Sequence, residues 1–267
     1  MIMPESCALS VNWGEDKLAL YRTEALILRS RKYLEADSLL TLLTREKGKV
    51  PAIAKGARKP QSKLRGGVQP FTQNDMLLSA GRNLDVVTQS QSLEAFTPLQ
   101  DDIRAMTAAA YWSELLEALT VEGEADTDVF NLALAGFHIL CLSPSDLTVR
   151  AMEIKLLTLL GYAPCLDRCV VCGRDLSDQQ PFFSARQGGV LCPACSQVQS
   201  PYPPGVFSQE ALLVWQQLAK MDLTKTARIK VTLRGSSILE ESIGEVLLEQ
   251  LERPLKSRAI MKMIMNE

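Results

Sequence analysis

The stretch Asp37–Gly56, DSLLTLLTREKGKVPAIAKG, decides how the first third of this chain folds. It reads as two strands joined by a turn around Glu46, Lys47 and Gly48; its length and its glycine mark a hairpin. Upstream, Arg22–Arg29, RTEALILR, alternates Thr23, Ala25 and Ile27 against Glu24, Leu26 and Leu28. Downstream, Phe71–Phe96, FTQNDMLLSAGRNLDVVTQSQSLEAF, repeats the hairpin pattern with a turn at Gly81, Arg82 and Asn83. Five short strands in such a span suit a small closed barrel, and the OB-fold is the commonest five-stranded one.

After Pro98 the apolar period lengthens to that of a helix. Trp112, Leu115, Leu116 and Leu119 share one face, and Phe130, Leu134, Phe137 and Cys141 share the next. SDLTVRAMEIKLLTLLGY (145–162) is apolar nearly all round, so it reads as the buried central helix of a bundle, stopped by Gly161. Ser208 is placed to cap QEALLVWQQLAKM, and Ser237 with Glu240 to form a capping box for a further helix. The expected architecture is α+β and multidomain. An extension (1–20) without periodicity precedes an OB-fold domain (21–98). A helical bundle domain (99–164 and 204–267) follows, interrupted by a cysteine-rich insertion (165–203).

Bulk composition is that of an ordinary soluble globular protein: 46% hydrophobic and 22% charged residues, net charge −2. No apolar run approaches the roughly 18–20 residues of a membrane span, and the N-terminus lacks the basic-then-apolar pattern of a secretory signal. A cytoplasmic setting is the default expectation. The charge is unevenly spread. Arg45, Lys47, Lys49, Lys55, Arg58, Lys59, Lys63 and Arg65 stand against one acid, Glu46, whereas 105–149 holds only acids. Glycines and Pro60 in AKGARKPQSKLRGG (54–67) mark a flexible loop that could present these cations to a phosphate backbone. Only Tyr33, Phe71 and Phe96 are aromatic between 22 and 98. Backbone contact should therefore dominate over base stacking, with a steep salt dependence.

Cys169-x-x-Cys172 and Cys192-x-x-Cys195 form two knuckles joined by PFFSARQGGVLC, itself a short hairpin turning at Gln187-Gly188-Gly189. Four thiolates so spaced predict one tetrahedral Zn²⁺ per chain. A catalytic zinc keeps a position open; four cysteines close the shell, so the ion is structural. The zinc-deaminase pattern needs His-x-Glu, which is absent, and the sole histidine, His138, lies in a helical segment. CPAC alone could be a thiol-exchange pair, but a second pair has no purpose there. Cys165 is an ambiguous fifth thiol, while Cys7 and Cys141 read as plain cysteines. No phosphate-cradling loop, nucleophile elbow or histidine-based triad is found, so no residue set proposes an enzyme.

Three segments together carry a family resemblance: Arg22–Phe71, GYAPCLDRCVVCG (161–173) and LERPLKSRAI (251–260). They resemble the bacterial DNA repair protein RecO family from about Arg22 onward. The resemblance implies an OB domain, a helical domain and a zinc module inserted in the latter. It implies a recombination mediator of the RecF-type pathway rather than an enzyme. Such proteins bind single- and double-stranded DNA, anneal complementary strands and pair with RecR. They also contact the acidic tail of single-stranded DNA-binding protein and help load RecA. Carried over by motif, the metal ligands are Cys169, Cys172, Cys192 and Cys195, and the leading DNA contacts are Lys55, Arg58 and Lys59. Some family members lack the cysteines, which agrees with a structural metal. The acidic-tail pocket is not carried over; Arg253–Arg258 is a guess from charge. The other open reading is a zinc-stapled adaptor that binds only proteins.

Overall fold

The computed structural model describes residues 19–176, 179–197, 203–251 and 253–265; the expected N-terminal extension and Cys7 lie outside them, apart from the end of the extension at residues 19 and 20. Five strands close into a barrel: β1 (Leu20–Tyr33), β2 (Asp37–Thr44), β3 (Gly48–Ala54), β4 (Gln73–Ser79) and β5 (Asp85–Glu94), in the order β1-β2-β3-β5-β4. Both predicted hairpins form, β2–β3 and β4–β5. β1 pairs antiparallel with β2 and β4, and a short parallel pairing, Ala52 with Asp85 and Ile53 with Val86, completes the circuit between β3 and β5. This is the OB arrangement.

Ala25, Ile27, Leu40, Leu42, Ala52, Met76 and Leu78 alternate inward and fill the barrel. β1 is buried on both faces, because Leu26 and Leu28, together with Leu43, join the core of the helical part. That explains the unbroken apolar run Ala25–Leu28, which a half-exposed strand would not carry. Beyond it the β1–β2 register shifts between Ile27 and Arg29, a bulge that bends the long strand.

The basic segment after β3 forms neither strand nor α-helix, as expected, but it is not loose. The amides of Lys59, Ser62, Arg65 and Gly67 each donate to a carbonyl three residues back. Ala57 and Val68 are buried in the barrel core, with Leu64 packed against it. The segment is a chain of tight turns that plugs one end of the barrel. Apolar residues between the lysines order it, and they correct the expectation of a flexible loop.

The helices are α1 (Pro98–Asp101), α2 (Ile103–Leu119), α3 (Thr127–Leu142) and α4 (Asp146–Leu159). Asp102, Asp126 and Ser145 cap the last three by accepting amide hydrogens of the first turn. α4 is central, as predicted, and Gly161 follows its end with φ +79°. Its two charged residues in the core satisfy each other: Arg150 Nη1 donates to Glu153 at 2.7 Å, and the Tyr111 hydroxyl of α2 donates to the same carboxylate. Phe71 and Phe96, both at positive φ, pack on Phe137 of α3 with ring centres 6.1 and 5.5 Å apart. The barrel and the helices thereby share one apolar seam.

The insertion contributes β6 (Phe182–Ser184), β7 (Gly189–Leu191), the one-turn α5 (Pro193–Ser196) and β8 (Gly205–Val206), the last an unpredicted third strand beside β6. Then come α6 (Gln209–Lys220), α7 (Leu233–Gln250) and α8 (Lys256–Met265). Ser208 caps α6 as predicted. The Ser237–Glu240 capping box does not form. α7 begins a turn earlier because Thr232 caps it, accepting from Gly235 at 3.0 Å while its hydroxyl donates to Glu210 of α6. Ser237 lies inside the helix and bonds Glu241. α8 was not expected; it packs on α2. Among the described residues no helix is long and apolar enough to cross a membrane.

Candidate nucleic-acid interface and metal centre

The structure divides the eight basic residues between the two ends of β3. Its seven residues separate them by roughly 20 Å at about 3.3 Å each. At the β2–β3 turn, Arg45 pairs with Glu24 at 2.8 Å, donates to Asn131 of α3 and lies over the Phe130 ring. Lys47 sits over the Tyr21 ring, 3.3 Å from its centre. Lys49 donates to the carbonyls of Glu117 (2.7 Å) and Thr120 (2.5 Å), which cap the C-terminal end of α2. The Arg45 and Lys49 contacts press the barrel onto α2 and α3, while Lys47 stays exposed on the barrel's own β1. Gly48 is required there: at φ +62°, a Cβ would lie 1.9 Å from the Glu124 carbonyl. One acid of the 105–149 segment serves the same seam, Glu117 lying 3.3 Å from Arg29.

The other five cations gather at the plugged end. Lys55, Arg58, Lys59, Lys63 and Arg65 are all exposed on the turns of the plug. A cleft of about 380 Å³ opens between plug and β1, lined by Lys32, Arg58 and Arg65 with Ser30, Ser38 and Gln69, and by no acid. Arg58 also organises the site: its guanidinium donates to the carbonyls of Leu34 and Glu35 in the β1–β2 turn, and its amide to Ala36. Lys32 was missed in the sequence. It stands in the short run RSRKY (29–33), whose charge is balanced along the chain by Glu35 and Asp37. Only the folding of the plug over β1 brings it to the others. Phe71 and Phe96 are spent on the helical seam, which leaves little aromatic surface for stacking. The stretch Arg253–Arg258 borders a groove between α7 and α8, where Leu248, Pro254, Leu255 and Ala259 stand beside Arg258 and Lys262 on one hand and Glu240, Glu241 and Glu245 on the other. Arg258 donates to the Glu240 carbonyl.

The four knuckle sulfurs meet in space. Cys169, Cys172, Cys192 and Cys195 place their Sγ atoms within 4.8 Å of one another, the Cys172–Cys192 pair at 3.8 Å. A tetrahedral ion with metal–sulfur bonds of about 2.3 Å requires sulfurs about 3.8 Å apart, so the set can hold a metal ion. The β6–β7 hairpin returns the second knuckle to the first, with Val170 donating to Val190 at 2.9 Å. Burial pushes the Cys169 thiol up, but amides of Cys172, Cys192 and Val171 outweigh it and bring the group down to about 6. Cys195 moves the opposite way, up to about 12, held by its hydrogen bond to Cys192, by burial and by the other sulfurs. Sulfurs this close ionise together only when a cation balances them.

Cys165 stays apart from the four. Its backbone bonds Gly188 and Val190, and a Cβ on Gly189 would strike its carbonyl at 2.1 Å. His138 is exposed on α3, edge-on to Phe96. The insertion does not rest on its four sulfurs alone. Phe183 and Phe207 pack on Trp215 of α6, with ring centres 5.8 and 6.3 Å away, and Val190 and Leu191 enter the same apolar cluster. The module shares the helical core, to which Cys169 and Cys192 themselves belong.

Comparison with known proteins agrees with both halves of this architecture. The family model described as Recombination protein O N terminal matches residues 18–96, and Recombination protein O C terminal matches 100–259. A protein of Heliobacterium modesticaldum named DNA repair protein RecO is 40% identical over 234 residues, 85% of each chain. Proteins of the same name from Desulforamulus reducens and Alkaliphilus metalliredigens are 33% and 37% identical, covering 91% and 87% of this chain and 94% and 92% of their own. With barrel and helical part each matched by its own family model, and relatives alike across both, the chain belongs to the RecO family.

Proposed function

We propose that this chain is a DNA-binding recombination mediator of DNA repair and not an enzyme. In this reading it binds single- and double-stranded DNA through the plugged end of the barrel and anneals complementary strands. Acting with RecR, it helps RecA replace single-stranded DNA-binding protein, whose acidic C-terminal tail it contacts, in the bacterial cytoplasm at the nucleoid. One observation carries the reading: Lys32, Arg58 and Arg65 line an acid-free cleft, and Lys55, Lys59 and Lys63 are exposed on the same plug, in a protein of net charge −2. Cations in that number attract a polyanion, and a site without several aromatics holds mainly backbone rather than bases. The metal is Zn²⁺, one per chain and structural, because four sulfurs leave no open coordination position.

The test is binding of single-stranded DNA across a salt series, together with strand annealing with and without RecR. Six phosphate contacts give a slope of log K against log salt of about −4. Lys59→Glu with Lys63→Glu reverses two exposed side chains that make none of the bonds seen at Arg58. It should weaken binding and flatten the slope by about 1.4. Binding that ignores salt, with no annealing by the wild type, would sink the proposal and favour the zinc-stapled protein adaptor.

A further inference from the structure

The tip of the β1–β2 hairpin presents two apolar side chains that the fold does not use. Tyr33 is 41% exposed and Leu34 is 74% exposed. Of the barrel's other aromatics, Phe71 and Phe96 are packed on Phe137, and Tyr21 is held by Lys47 and by Asp85. Leu34 has φ +49°, a region that suits glycine or asparagine and strains a leucine. The strain is held in place from below. Arg58 donates to the Leu34 and Glu35 carbonyls, its amide donates to Ala36, and Asp37 accepts from Gly56 at 2.7 Å. A strained residue that its surroundings over-determine, and that displays a large apolar side chain to solvent, points to a contact outside the chain.

The surroundings say what that contact is. Side chains alternate along β1, so Arg31 and Tyr33 share one face and Lys32 the other. The tip is thus flanked by cations on both faces, with Arg58 bonded to it from the plug and Lys55 following Ala54, the partner of Ser38; Glu35 is the one acid exposed in the turn itself. An apolar protein partner would have to bury these charges. An unpaired stretch of nucleic acid supplies both parts at once, phosphates for the cations and flat apolar bases for the tip. We propose that Tyr33 and Leu34 form a base-contacting blade. Tyr33 stacks on one unpaired base of a bound single strand, Leu34 abuts its neighbour, and the flanking cations hold the phosphates on either side. This rests on the DNA-binding reading above and adds to it a single stacking position at the hairpin tip, on the face of β1 opposite the cleft that Ser30 and Lys32 line.

The experiment compares full-length wild type, Tyr33→Ala and Leu34→Asn on oligothymidylate and on an abasic oligonucleotide of equal length and charge. Asparagine tolerates positive φ, so Leu34→Asn removes the blade without loading the turn, and thermal unfolding should be unchanged or later. Wild type should prefer the base-bearing strand by roughly tenfold. In the variants that preference should fall towards one, with the salt slope preserved. A wild type that binds both strands equally with a steep salt slope, or variants that keep the full preference, would overturn the blade and leave the DNA-binding reading standing. Variants that keep the preference but lose stimulation by RecR would show a protein contact instead and also overturn it. A wild type that binds neither strand would bring down the DNA-binding reading itself.

Discussion

Lys49 separates a cation that holds the fold from one that holds a ligand, and Lys49→Met tests the separation. By sequence it belongs to the basic run. In the structure its ammonium takes two carbonyls at the end of α2, Glu117 at 2.7 Å and Thr120 at 2.5 Å, on a helix whose own last turn carries no cation. Methionine keeps the length and most of the packing of the aliphatic stem but removes the donor. Losing charged hydrogen bonds to carbonyls in a partly buried seam costs about 1.5–3 kcal/mol, and losing the charge at a helix C-terminus adds a few tenths. A net loss of about 2 kcal/mol lowers the melting temperature by about 4–8 °C in a chain of this size. Thermal unfolding followed by far-ultraviolet circular dichroism reads that shift; the salt slope for single-stranded DNA should not change. Lys63→Met is the control, expected to leave stability within about 0.5 kcal/mol and to flatten the slope by about 0.7. If Lys49→Met flattens the slope while melting normally, the assignment of Lys49 to the seam is wrong.

Metal removal should act locally before it acts globally. A chelator should turn four protected thiols into reactive ones and alter the Trp215 emission, because Phe183 and Phe207 pack against that ring; four thiols already reactive in untreated protein would refute the metal site. A second outcome concerns acid. Glu114 accepts from the Lys256 and Ser257 amides at the start of α8. Burial pushes its carboxyl up, yet the Ser257 hydroxyl and these amides outweigh that and leave it below its usual 4.5. A depressed folded pKa means the stabilisation is complete above about 4.5 and is lost as pH falls through the lower folded value. Amide exchange in Lys256–Met265 should therefore accelerate below about pH 4.5, and Glu114→Gln should weaken α8 at neutral pH and flatten that dependence. Equal pH profiles for the two proteins would refute the cap.

Local chemistry was legible wherever it acts between near neighbours. The hairpins at Glu46–Gly48 and Gly81–Asn83, the Ser208 cap, the Gly161 stop and the two cysteine knuckles each rest on residues a few positions apart. The capping box at Ser237 misled because an equally good cap, Thr232, sits just upstream and gains Glu210 from another helix. The plug read as flexible because glycine and lysine dominate its composition, while Ala57, Leu64 and Val68, which order it, are small or scattered.

The sequence by itself determined the barrel, the helical bundle, the four sulfurs that can hold a metal ion and the presence of a local excess of cations. Alternation, caps and Cys-x-x-Cys spacing are short-range regularities, and charge is additive along the chain. Only the tertiary structure decided which cations share a surface. One seven-residue strand and the turn before it carry Arg45 and Lys49 into the helical seam, set Lys47 on the barrel's own Tyr21 and leave Lys55–Arg65 to meet Lys32. It also joined the cysteine-rich module to the helical core and exposed Tyr33 and Leu34 at a clamped turn. Those outcomes depend on which residues distant in sequence are pressed together, and that follows from packing the two cores against each other rather than from any local pattern.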